Sequence, residues 1–130
     1  MCALFQEPVR GIRGYSRWKP GCSGTFADIT VDFEPSPSFE FISSSATGEI
    51  YPPFIAAAVK GICRELLGHV ESWEERLPEA GPESVAVRVV LLHAREHEVD
   101  SSEFSFERAG RLAVRAAVEV LRERERQRTA

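Results

Sequence analysis

No stretch of this 130-residue chain approaches the roughly 18 uninterrupted apolar residues of a membrane-spanning helix. The first eight residues hold one short apolar run with no basic residue ahead of it, so no secretory leader is expected. Cysteine is sparse: Cys2, Cys22 and Cys63 are odd in number, far apart and never in a Cys-x-x-Cys pair. That suits a reducing compartment and speaks against a zinc ribbon, so the expectation is a cytoplasmic chain with free thiols, no membrane contact and no metal. A Gly-x-x-x-x-Gly-Lys-[Ser/Thr] phosphate loop is missing too, which predicts no nucleotide site and no energy source of its own. Nor is there a basic excess: the net charge of −4 disfavours a general affinity for nucleic-acid backbone, which scales with the number of phosphates neutralised. Any RNA contact must be local.

What is present describes a single folded domain over 1–130, with a core over about 9–121 and a charged tail at 122–130. With 43% apolar and 28% charged residues the chain is too apolar to be disordered, and too short to divide into two cores. Charge is placed unevenly. Residues 1–24 carry Arg10, Arg13, Arg17 and Lys19 against Glu7, whereas residues 61–100 carry four arginines against nine carboxylates.

Ala27, Ile29, Val31 and Phe33 alternate with Asp28, Thr30 and Asp32, the period of a strand with one buried and one wet face. Two prolines, Pro35 and Pro37, interrupt the pattern before Phe39-Glu40-Phe41-Ile42 resumes it, and the pair reads as a hairpin. Val9 to Trp18, diluted by Gly11 and Gly14, reads as an edge strand. Pro52-Pro53 opens a helix whose stripe is Phe54, Ile55, Ala58, Val59, Ile62, Leu66 and Leu67, with Gly68 as its stop. The acidic segment from Glu71 to Glu83 reads as a surface connection. Val85, Val87, Val89 and Leu91 form a buried strand that turns at Ala94-Arg95-Glu96. Asp100-Ser101-Ser102-Glu103 then has the form of a capping box, Asp100 taking a backbone N–H near Glu103 while Glu103 reaches back. The helix it opens has the stripe Phe106, Ala109, Leu112, Ala113, Ala116, Ala117, Val120 and Leu121, and Arg122 to Arg128 reads as a solvated extension. The order βββαβα is satisfied by an α+β two-layer sandwich, a four-stranded sheet with two helices on one face.

Three segments carry a resemblance to a known family. Pro20-Gly21-Cys22-Ser23-Gly24-Thr25-Phe26-Ala27-Asp28-Ile29, Ala58-Val59-Lys60-Gly61-Ile62 and His97-Glu98-Val99-Asp100-Ser101-Ser102-Glu103 occur in the order and at the intervals of motifs in the fourth domain of elongation factor G. The chain resembles that domain from roughly Val9 to Val120. The resemblance implies a ribosomal protein S5 domain 2-like fold and a translation role at the decoding site. In the family, the loops matching 19–25 and 94–100 form a tip that enters the small ribosomal subunit. It implies Lys19, Gly21, Gly24, Arg95 and His97 as RNA- or ribosome-contacting residues, with Arg17 adding charge. A histidine just before a helix N-terminus suits this, since unpaired N–H groups there attract phosphate.

The chain also departs from the family. Gly21-Cys22-Ser23-Gly24 stands where the family has Gly-Gly-Arg-Gly, and the second loop is shorter and lacks a glycine. A competing reading is therefore a protein-interaction module, a homodimer or partner binder, that keeps the fold and has lost the RNA tip. Trp73 and the sheet face bearing Asp28, Thr30 and Asp32 would be its contacts. An enzyme is not expected: Ser101 has no base or oxyanion loop, and no acid–base constellation can be assembled. His93 and His97 lie four apart across a strand end rather than on one helical face, without a third ligand, so neither a metal nor any other cofactor is expected. Lys60-Gly61 reads as structural, the glycine allowing close packing.

Overall fold

The computed structural model describes residues 5–18, 25–44, 50–71, 86–96 and 101–129. Its elements are β1 (Val9–Trp18), β2 (Thr25–Pro35), β3 (Glu40–Ser43), α1 (Pro52–Glu71), β4 (Val87–Arg95) and α2 (Glu103–Thr129). The sheet order is β1-β2-β4-β3, antiparallel except for the parallel pair of β3 and β4. The α+β sandwich expected from the element order is the fold observed. The expected hairpin of β2 with β3 is not: β4 lies between them, and Glu40 to Ser43 pair with Arg88 to Leu91. After the prolines the chain steps past the central position and leaves it for β4, which suits a strand as apolar as Val87 to Leu92.

Ala27, Ile29, Val31 and Phe33 on β2 and Val87, Val89 and Leu91 on β4 are at most 1% exposed, and they share one core with Ala57, Ala58, Ile62 and Leu66 of α1 and with Phe106, Ala109 and Ala113 of α2. Both helices thus cover one face. Their approach is closer than a methyl group allows: a Cβ on Gly61 would lie 2.0 Å from the Glu107 carbonyl oxygen, and one on Gly110 2.3 Å from that of Ala58. α2 in turn rests on β1, where a Cβ on Gly14 would lie 2.1 Å from the Ala109 carbonyl oxygen. Phe5 precedes every expected element yet is buried, stacked on Phe33 with ring centroids 5.0 Å apart.

Two irregularities re-aim side chains. Between Val9 and Ile12 the register with β2 slips by one residue at Gly11, whose φ of 67° is the left-handed value a glycine adopts without a Cβ clash. The Gly11 N–H donates to Asp32 Oδ1 at 2.8 Å, so Asp32 is buried rather than wet. In β4, Thr30 faces His93 but Val31 faces Leu91, which makes Leu92 the extra residue. Inward residues then change from Val87, Val89 and Leu91 to Ala94, and the strand continues through Arg95 where a turn was expected.

Helix ends also differ from expectation. α1 continues past Gly68 to Glu71. α2 starts at Glu103, and its box is Ser102 with Ser105: the Ser105 N–H donates to Ser102 Oγ at 3.1 Å and the Ser102 N–H to Ser105 Oγ at 2.8 Å. The reciprocal geometry is that of the expected box, two residues later; Asp100 lies outside the described residues. Ser102→Ala is expected to lower stability by about 0.5–2 kcal/mol, read as a shift in denaturation midpoint. No shift would mean that the cap lies elsewhere. The tail is helical and not merely solvated: Arg124 and Arg128 pair with Glu7 and hold its carboxyl below the usual glutamate range, Arg128 contributing most. No helix among the described residues is long and apolar enough to cross a membrane.

Candidate nucleic-acid interface

Four chain ends gather at one edge of the sheet. Trp18 pairs with Thr25, so the connection 19–24 joins β1 to β2 there. Asp28 pairs with Arg95, so β4 ends at the same edge, and the Ser101 hydroxyl donates to the Phe26 carbonyl at 2.8 Å. That bond fixes the start of α2 beside the start of β2. The connections 19–24 and 97–100 therefore leave from neighbouring points, which is the geometry two loops need to act on one ligand.

Of the residues expected at such a tip, Arg95 is described and is exposed. Lys19, Gly21, Gly24 and His97 lie outside the described residues, as do Cys22 and Trp73. Ser101 and Ser102, expected in the cap, have the separate tasks given above: Ser101 ties helix to strand and Ser102 caps.

The solvent side of the sheet near these element ends carries a cluster in which the sequence reading gave Arg13 and Tyr15 no role. Arg13, Tyr15 and Arg17 point outward from β1 by simple alternation, opposite Thr30, Asp28 and Phe26. Arg13 grips Asp28 with two parallel bonds, Nε to Oδ1 at 2.9 Å and Nη2 to Oδ2 at 2.8 Å. This accounts for the burial of Asp28, which was expected to be wet, and it raises the Arg13 pKa above its ordinary value. The same guanidinium lies 4.2 Å from the centroid of the Tyr15 ring, which meets Phe26 edge-on at 5.9 Å. The period-two run of Arg13, Tyr15 and Arg17 was the signal available in the sequence. Arg95 and Arg17 flank the cluster, so the tip end is cationic while the far end is neutralised by Arg10–Glu34 at 3.0 Å and Arg88–Glu40 at 2.8 Å.

His93 projects exposed from β4 beside Thr30. Among the described residues no three His, Cys, Asp or Glu side chains come together as a metal site. Arginine forks such as those of Arg17 and Arg95 match phosphate oxygens in pairs.

A family profile described as elongation factor G, domain IV, matches residues 4–120. Over 100 residues the chain is 33% identical to an elongation factor G-like protein of Mycobacterium tuberculosis (strain CDC 1551 / Oshkosh), covering 75% of this chain and 13% of that protein. A crystal structure of a Thermus thermophilus protein matches with a TM-score of 0.61 over 84% of this chain and 15% of its own, at 23% identity, a likeness that concerns the fold. The chain thus spans a small part of the length of the proteins it matches.

Proposed function

The chain belongs to the elongation factor G domain IV family, and from that premise we propose that it is a translation-related module that binds the small ribosomal subunit or its RNA through the tip, acting by binding and without nucleotide hydrolysis of its own. Domain IV is a non-catalytic part of such factors. The observation that carries the reading is that the element ends from which the connections 19–24 and 97–100 leave lie together, with Ser101 clamped to Phe26 and Arg95 and Arg17 close by. A cytoplasmic location follows from it.

The contact is small, because the chain as a whole is acidic. Two or three phosphates neutralised at the tip give a log–log salt slope of only about −2 to −3. Co-sedimentation with small subunits across a salt series measures it, and a much steeper slope would place binding on another basic surface. A second reading, docking of a protein partner or a second copy on the open sheet, is favoured by Tyr15 and Ile42, which stand 36% and 45% exposed there. A concentration-dependent dimer with no ribosome association would favour it.

A further inference from the structure

A groove of about 320 Å³ runs between the solvent sides of α1 and α2. Arg64, Arg108, Arg111 and Arg115 line it, together with Glu107 and Phe104. In a chain of net charge −4 this is a local cationic surface. Arg64 holds Glu107 at 2.7 Å and Arg115 holds Glu65 at 3.1 Å, so four arginines face two carboxylates and an excess of two positive charges remains. Arg108 is exposed, with no carboxylate partner among the described residues. Arg111 approaches Glu107 only at 3.9 Å, and its Nε is buried with no acceptor among the described residues. Phe104 stands at the tip end of the groove and is 64% exposed, more than any other described large hydrophobic side chain.

We propose that this groove is a binding site for single-stranded RNA, with its arginines on two or three phosphates and Phe104 stacked on one base. Arg108, Arg111 and Arg115 rise along one face of α2 by about 4.5 and 6 Å, so a strand laid along the helix meets successive guanidinium forks. Planar forks match phosphate oxygens in pairs, which a lysine point charge does not. An aromatic platform at the end of a cationic track suits unpaired bases, because every base offers a π face and a duplex offers none along its length. An acidic peptide would use the arginines and leave Phe104 idle. The site lies on the helical layer, away from the open sheet, and does not rest on the tip reading.

The test is fluorescence anisotropy of the full chain with labelled decauridylate across a salt series. Phe104→Ala is expected to weaken binding by about 5- to 150-fold, the range of one base–aromatic stack, with the salt slope unchanged. Arg108→Gln is expected to make the slope shallower by about 0.7, one phosphate on a single strand. Both side chains are exposed, and unchanged circular dichroism verifies the fold. With Lys19, Arg95 and His97 replaced by alanine, the Phe104→Ala effect persists. No binding of decauridylate, wild-type affinity in Phe104→Ala, an unchanged slope in Arg108→Gln, tighter binding of oligoglutamate of equal length, or loss of all binding in the triple-alanine chain would each overturn the site.

Discussion

Phe106→Ala is expected to destabilise the domain by about 3–5 kcal/mol, the largest loss expected of a single side chain here, and to lower its Tm by roughly 10–20 °C. Phe106 is 0% exposed and stacks on Phe54 with centroids 4.9 Å apart and planes 10° from parallel. It therefore joins the first turn of α2 to the first turn of α1 over the sheet. Truncation removes the transfer energy of the ring and leaves a cavity. Collapse into it is resisted, because the helices already meet backbone to backbone at Gly61 and Gly110 and cannot slide closer there. Domains of this kind hold only about 5–15 kcal/mol in total, so the variant keeps a narrow margin. Urea unfolding with an unchanged m-value measures the effect; a loss below about 1 kcal/mol would show that this end of the core repacks freely. Because Ser102 and Ser105 cap the same turn, the variant should also loosen the footing of the second tip loop.

Element identity was legible in the sequence where one residue pattern decided it. Strict alternation from Ala27 to Phe33 identifies β2, and the Pro52-Pro53 pair opens α1 where expected. Partner choice was not legible, because a strand pattern says which face is buried and not which strand lies beside it. Pro35 and Pro37 look like a hairpin turn, yet β3 pairs in parallel with β4. The bulge at Leu92 is equally silent in the sequence: it depends on the register between β2 and β4, and it turns the apparent turn at Ala94-Arg95 into strand. At α2 the described cap is Ser102 with Ser105, two residues after the box read at Asp100 and Glu103, while Ser101 bonds to Phe26. The stripe of α2 was read too narrowly. Val114 and Val118 are buried as well because this helix faces both the sheet and α1.

At the tip the sequence motifs pointed to the loops, and the structure supplies what holds the elements flanking them together. Asp28 was read as a solvent-facing residue; its role is to fix Arg13, and through Arg13 the Tyr15 ring, near those element ends. No periodicity could have distinguished a paired aspartate from a wet one. The arginine groove on the helices was hidden for a different reason: Arg64 and Arg108 are distant in sequence and meet only when Gly61 and Gly110 let the helices pack closely.

Replacing Lys19, Arg95 and His97 together by alanine tests the central claim most directly. A tip that contacts RNA through these residues loses two fixed charges and a donor at once. Each lost phosphate contact removes part of an already small electrostatic contribution, so association should fall below detection. Stability should move little, by no more than about 0.5 kcal/mol, since Arg95 is exposed and none of the three belongs to the apolar core set. Co-sedimentation of the triple variant with small subunits from the same host, beside the wild-type chain at one low salt concentration, is the measurement. The account predicts that the wild type pellets with the subunits while the variant stays in the supernatant with an unchanged Tm. A variant that still pellets would contradict it and move the contact to another surface.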